Sequence, residues 1–507
     1  MTWDSLLDNL RGKRLWLWLG GIVLVRLIML LAVVNGADLA GDEAYYWDWG
    51  RRPDWGYYSK PPMIGWMMSV IGWLTSDAEW GIRLAALLLG LVTLLITWRL
   101  ARDLLGERVA ALAALLMVLT PGNAGLCLLL TIDAPLLLAW TAALWLFWRA
   151  AEAPDKFWRW LLLGLVIGFG CLSKQMMLVF PLLMIVFAAV SPEDRGLLKR
   201  AGFWTSAALG LLFILPVLWW NEQHGWITLE HTKHHFDSSS TPTFSKWLGR
   251  TAENVGLQAL VYTPVLFVAM VAALWQASRG LRGLSRPKRY LWLCAGPALA
   301  CFAILALRQR INPNWPAAFF VPAIILAAAW LMENGREGWR RWSLRIAGGL
   351  AVVIHLAVIV FMLTDLKSIK KLGGLRGWRE AGLAADTWLQ KMPERENTFV
   401  MALGHRYHAA WMAFYMPSHP RVYRWEPTAF PQSQYEIWPG PEERIGQDAM
   451  ILVPGADESM VLLPDFAKCF ERVEPLGTIS IPLGAETRQF GVFRGVKLKT
   501  WKAIRPS

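Results

Sequence analysis

Apolar runs recur from the amino terminus to about Leu363, and no other feature of this 507-residue chain constrains its fold as much. A bilayer core about 30 Å thick needs roughly 20 mostly apolar residues per spanning helix. Runs at 15–34, 82–100, 109–129, 134–148, 160–171, 176–190, 203–220, 255–275, 290–307, 316–332 and 346–363 approach that requirement. The chain therefore reads as an α-helical polytopic membrane protein with about eleven transmembrane helices. The first run follows Arg11, Lys13 and Arg14. It is long for a signal-peptide core and lacks a small-residue cleavage site, so it is read as a retained helix.

Loop charge sets the expected orientation. Lys and Arg gather in alternate loops, at 99–108, 149–159, 195–200, 279–289 and 336–345. The positive-inside rule places these loops, with the amino terminus, in the cytoplasm. The net charge of +13 is spread over such short loops and forms no single basic patch, which argues against a nucleic-acid partner. The other loops then face outward: 35–62, the turn before Asp133, the turn at Ser173-Lys174, 221–250 and 308–315.

After Leu363 the composition becomes that of a soluble domain, so the chain divides into a transmembrane domain, 1–363, and an α/β domain, 364–507. Helices are expected at 376–390 and 405–415, with strands at 398–402, 449–453, 477–481 and 489–493. An odd number of spanning helices makes this domain periplasmic. Cys127, Cys171, Cys294 and Cys301 lie in apolar segments and Cys469 is alone in the tail, so no disulfide framework or zinc pattern follows.

The unusual polar residues fall in the outward loops. The first of these reads GDEAYYWDWGRRPDWGYYSKPPMIGW from Gly41, and it sets carboxylates and cations among aromatic rings. Rings with carboxylates suit a sugar, and Lys60 ahead of Pro61-Pro62 suits a phosphate held at a rigid bend. For Asp48, Arg51, Arg52 and Asp54 an interfacial helix with solvated charges is the preferred reading. Arg26, inside the first apolar run, marks either a functional cavity or a packing contact. Asp133 is either a site residue or an N-cap. His224, His231, His234 and His235 do not have the spacing of an established zinc site. Tyr407, His408, Tyr415 and Tyr435 either meet an acceptor or pack the small domain.

Asp42-Glu43 just after the first membrane helix, then Tyr45-Tyr46-Trp47 and Lys60-Pro61-Pro62, resembles the protein O-mannosyltransferases and lipid A aminoarabinose transferases, membrane glycosyltransferases of the GT-C fold. Thr131-Ile132-Asp133-Ala134-Pro135, Leu172-Ser173-Lys174, Trp220-Asn221-Glu222-Gln223-His224-Gly225-Trp226, Asn314-Trp315-Pro316 and Gly377-Trp378-Arg379-Glu380 are similar to further motifs of that family. The resemblance implies a sugar donor on a polyprenyl phosphate of undecaprenyl type and direct transfer without a nucleotide. It implies an envelope acceptor such as lipid A, a glycolipid or a polysaccharide, with protein hydroxyls as the alternative. It also implies a multi-pass place in the inner membrane with a periplasmic active site. No cofactor is certain; a divalent metal is possible, without a clear ligand set.

On the same resemblance Asp42 is the expected base, with Glu43 and Asp133 as further catalytic candidates. Lys60 is the first choice for the donor phosphate, followed by Arg26, Lys174, Arg308 and Arg310. Tyr45, Tyr57, Tyr58, Asn221, His224, Asn314 and Trp315 are the expected sugar or acceptor contacts. The residue chemistry agrees: a carboxylate takes the acceptor proton as the bond forms, and fixed cations stabilise the leaving phosphate. One position departs from the pattern. Ser59 stands where many bacterial members have Asp-His-Pro-Pro and the aminoarabinose transferases have Glu-Lys-Pro-Pro, which leaves the donor sugar open. A lipid-linked sugar transporter would show related halves. The sequence shows no internal repeat, and its polar motifs lie on one face.

Overall fold

The computed structural model describes residues 13–236, 244–334 and 373–501, apart from 429, 456, 457, 462 and 485, together with isolated positions between 342 and 357. Among them, four helices are long and apolar enough to cross a membrane: Glu79–Leu105, Asp133–Ala151, Ala201–Gln223 and Arg286–Ala306. Shorter apolar helices cover Leu19–Val34, Met63–Thr75, Phe157–Ser173, Gln175–Val190 and Ala317–Glu333. The protein is a multi-pass membrane protein.

Three expected spans are interrupted, each beside a proline. The run at 109–129 splits into Glu107–Val118 and Pro121–Leu126, with Thr120 Oγ1 accepting from Asn123 N–H at the break. The run at 203–220 loosens at 213–214, ahead of Pro216, whose ring nitrogen has no proton for residue 212. The run at 255–275 bends by 105° between Trp247–Tyr262 and Pro264–Arg279. Thr263 has φ +65 there, a left-handed conformation that a β-branched residue rarely adopts. The expected helix at 346–363 lies largely outside the described residues.

The chain forms two compact units. One holds most of the first membrane helix, to Leu31, with Arg83–Val217 and Lys233–Val358. Its core is built around Trp140, Phe147, Trp160, Phe180, Phe187 and Tyr290. Phe157–Ser173 lies against Ala201–Leu212, and a Cβ on Gly164 would meet Ser206 O at 2.9 Å. That approach of two backbones is how helices pack where lipid supplies no hydrophobic drive. Leu88, Leu95, Leu165, Leu212, Val268 and Ile304 are exposed, as residues that face lipid must be.

The second unit gathers Ala32–Ile82, Leu218–Thr232 and the carboxyl-terminal residues. It is therefore not the tail alone. The tail contributes a five-stranded sheet of order β2-β1-β3-β5-β4. Strands β1 (Thr398–Ala402), β2 (Val422–Tyr423) and β3 (Asp448–Pro454) are parallel, while β4 (Phe470–Leu483) and β5 (Glu486–Leu498) form an antiparallel hairpin beside β3. The two short closing strands expected at 477–481 and 489–493 are the tip of that hairpin. Helices Trp378–Gln390 and Arg406–Tyr415 complete the α/β fold.

The segment after the first membrane helix is helical over Gly41–Gly50 and docks on Arg406–Tyr415. Backbone and side-chain bonds hold its entry: Asp38 accepts from Trp378 N–H at 2.7 Å, Leu39 N–H donates to Tyr415 Oη at 2.7 Å, and Trp411 Nε1–H donates to Leu39 O at 2.8 Å. Trp378 and Trp411 stack at 3.6 Å beneath it. The docking needs Gly41, because any Cβ there would collide with the Tyr407 ring.

Candidate active site

In the second unit Asp42 stands in the first turn of Gly41–Gly50, half-buried. Tyr407 Oη donates to Asp42 Oδ1 at 2.7 Å. Burial, and then the Asp42 charge, push the Tyr407 hydroxyl up to about 12, so it remains a donor at neutral pH. A charge-assisted bond of this kind contributes about 1.5–3 kcal/mol to holding the carboxylate in place. Glu43 differs from its neighbour. It is fully buried, and its Oε2 accepts from Ala40 N–H at 3.0 Å, where it helps start the helix.

Lys60 ends a tight turn in which Tyr57 and Lys60 exchange backbone bonds of 3.0 and 3.3 Å. Pro61-Pro62 and the helix Met63–Thr75 follow directly. Lys60 is half-buried. The turn is fixed from beneath: Tyr57 is fully buried, its ring stacks on Trp49 at 4.4 Å, and its hydroxyl reaches Trp49 O and Arg52 O. Tyr58 N–H donates to Gln434 Oε1 at 2.6 Å and its hydroxyl meets His231 Nδ1 at 3.2 Å. Burial, and then Glu436, push the Tyr58 hydroxyl up to about 12. Tyr45 is buried and its hydroxyl accepts from Gln434 N–H at 2.6 Å.

Asn221 and His224 support the same turn. Asn221 Oδ1 accepts from Thr228 N–H, and Thr228 Oγ1 donates to Tyr57 O at 3.1 Å. His224 stacks on Trp220 at 4.0 Å, and Trp220 Nε1–H donates to Asp54 at 2.8 Å. Gly56 lets the Trp220 ring close in, since a Cβ there would sit 2.6 Å from it.

Two arginines flank this cluster, and neither stood out in the sequence. Arg424 is neutralised: its Nη atoms reach Glu436 and Glu426 at 2.5 Å each, and Nε–H donates to Gly404 O. Arg406 has no ion pair among the described residues. Its guanidinium lies 5.5 Å from the Tyr45 ring and 4.9 Å from the Tyr407 ring, with one bond, of 3.4 Å, to Tyr407 Oη. His405 caps the helix by accepting from Tyr407 N–H; burial, then Arg406 and Arg424, hold its imidazole below the usual value. The only signal for this corner was the run His405-Arg406-Tyr407-His408 at a helix start.

The first unit has its own polar centre. Asp133 opens the helix Asp133–Ala151 but does not cap it; the N-cap position is Ile132. Its carboxylate instead accepts from Lys174 Nζ at 2.7 Å and Asn314 Nδ2 at 2.6 Å. Asp133 and Lys174 are both buried. They border a cavity of about 290 Å³ whose walls include Leu126, Leu129, Leu137, Phe320 and Ile324. Trp315, beside Asn314, is partly buried. Arg26 is occupied elsewhere in the unit: Nη1 contacts Cys127 Sγ at 2.6 Å and Nη2 donates to Val118 O at 2.9 Å, a carbonyl freed by the helix break. Arg310 pairs with Glu253 at 2.7 Å on the surface, and Arg308 is exposed. Among the described residues no three His, Cys, Asp or Glu side chains converge as a metal would require.

Residues 59–220 match the family model described as dolichyl-phosphate-mannose-protein mannosyltransferase. The lipid A galacturonosyltransferase RgtD of Rhizobium johnstonii is 27% identical over 90% of this chain and 93% of its own length. The undecaprenyl phosphate-α-4-amino-4-deoxy-L-arabinose arabinosyl transferase of Edwardsiella ictaluri is 25% identical over 61% of this chain and 56% of its own. The crystal structure of ArnT from Cupriavidus metallidurans bound to undecaprenyl phosphate superimposes with a TM-score of 0.66 at 18% identity, covering 94% of this chain and 98% of that one. The chain thus shares the GT-C fold of ArnT, and its sequence is similar to those of a protein mannosyltransferase family, a lipid A galacturonosyltransferase and an aminoarabinose transferase.

Proposed function

We propose that this chain moves a sugar from a polyprenyl phosphate of undecaprenyl type to lipid A or a similar envelope glycolipid, at the periplasmic face of the inner membrane. The observation that carries this reading is the setting of Asp42. It is a half-buried carboxylate directly after the first membrane helix, aimed by the Tyr407 hydroxyl at 2.7 Å, in the same unit as the rigid Lys60 turn. In the reaction the acceptor oxygen attacks the anomeric carbon and Asp42 takes its proton. The bond to the carrier breaks, its electron pair leaves on the phosphate, and Lys60 stabilises the charge that develops. The largely apolar cavity beside Asp133 suits a hydrocarbon chain of a lipid substrate.

The names of the relatives support this donor and acceptor class, and loop charge supports the side. A reporter fused after Ser507 should be active only in the periplasm, and one in the 279–289 loop only in the cytoplasm. The function itself is tested with purified protein in nanodiscs, given an undecaprenyl-phosphate sugar and lipid A. Mass spectrometry should show lipid A gaining one sugar. Transfer to added protein and none to lipid A would reverse the acceptor assignment, and movement of the carrier across vesicles without transfer would make the chain a transporter.

A further inference from the structure

Resting on the glycosyltransferase reading above, we propose that Arg406 recognises a carboxylate on the transferred sugar, so that the donor is a uronic acid on its carrier and Arg406 is a specificity-determining residue. The two arginines of the cluster make the case. Arg424 is held by two carboxylates and a backbone carbonyl, as a buried structural guanidinium should be. Arg406 comes from the same corner and is partly buried, yet among the described residues it has only rings and a long bond to a tyrosine hydroxyl. Its Nε is buried with no partner. The Asp42 charge across Tyr407 and the two flanking rings offset the cost of taking the guanidinium out of water, but among the described residues no carboxylate lies within hydrogen-bond reach of its forked N–H groups. The site therefore retains a forked donor for an acid that the protein does not supply.

Position identifies the acid. Tyr407 Oη bridges the two functional ends of the cluster, at 3.4 Å from Arg406 Nη2 and 2.7 Å from Asp42 Oδ1. The guanidinium thus stands about one pyranose ring away from the carboxylate proposed to meet the acceptor hydroxyl. A sugar with its anomeric carbon near Asp42 extends its far substituent, the group on C5, toward Arg406. A carboxylate there completes the ion pair. An amino sugar sets an ammonium in the field of Arg406 instead, so the position favours an anionic sugar over a cationic one.

The test compares two undecaprenyl-phosphate donors that differ only at C6, galacturonic acid and galactose, with lipid A as acceptor in nanodiscs. Wild type should prefer the uronic acid in kcat/KM. Arg406→Gln should lower the ratio of the two kcat/KM values by about 10- to 100-fold, the range for one charge-assisted contact, and Arg406→Lys should retain part of it. Melting temperatures of both variants check folding, and direct binding of each donor gives a readout independent of turnover. An equal loss on both donors would assign Arg406 to the carrier phosphate or to packing and overturn the proposal. So would a ratio that does not move. Failure of wild type to transfer or bind either donor would remove the underlying function reading, a result distinct from normal transfer with an unmoved ratio.

Discussion

Asp133 and Asp42 are two of the three carboxylates, with Glu43, that motif reading placed at the site, and their surroundings differ. Asp133 is buried and satisfied by a lysine and an asparagine within 2.7 Å. Asp42 is half-exposed and accepts from one tyrosine hydroxyl. A carboxylate that already accepts from an ammonium and an amide has little room left for a substrate hydroxyl, whereas one held by a single hydroxyl keeps open acceptor positions. The difference teaches that a charged motif can be tied up in packing in one unit and left open to a ligand in the other.

The largest expected effect tests the chemical half of that contrast. Asp42→Asn should lower turnover by about 10²- to 10⁴-fold, the usual worth of a general base, while donor binding stays near wild type. Turnover within a few-fold of wild type would move the base elsewhere and erase the distinction. Next comes the structural half. Lys174→Met leaves Asp133 buried without its partner and should destabilise the protein by about 3–5 kcal/mol in thermal or denaturant unfolding, and adding Asp133→Asn should restore much of the loss. Full stability of the single variant would show that the pair is not structural.

Lys60→Ala should cost about 1.5–3 kcal/mol in binding of the donor phosphate, more in turnover, with Lys60→Arg keeping part of each. Titration of an undecaprenyl-phosphate sugar against all three proteins would expose a solvated surface lysine as three equal affinities. The smallest effect sharpens the comparison. Tyr407→Phe should lower kcat by only a few-fold to about tenfold, the range of one hydrogen bond. Because the hydroxyl orients Asp42 and does not replace it, KM should move less than kcat, and an equal change in both would point to substrate contact instead.

The apolar runs and the outward motifs were legible because each is local: twenty residues decide a span, and six decide a Lys-Pro-Pro turn. Strand β1 matched the expected 398–402 for the same reason. What escaped was non-local or short. Asp133 and Lys174 were both read as site residues, but their ion pair joins positions 41 residues apart and depends on how two helices pack. Arg406 gave no sign, since what sets it apart is Tyr45 across the fold and, among the described residues, the lack of the paired acids that Arg424 has. The helix Met63–Thr75 did not stand out because 13 residues are too few to span. The bend at Thr263-Pro264 was read through, although the dipeptide marked it.

The docking of Gly41–Gly50 on Arg406–Tyr415 also fixes an order of events in biogenesis. Asp42 leaves the ribosome more than three hundred residues before Tyr407, the group that orients it. Until then the segment that carries it exposes Tyr45, Trp47 and Trp49, all buried in the folded protein. Contacts of such long range form slowly and leave aggregation-prone intermediates. The nascent chain therefore lacks the Asp42 geometry until its carboxyl-terminal domain has folded, and loss of that domain removes the setting of a residue near the opposite end of the polypeptide.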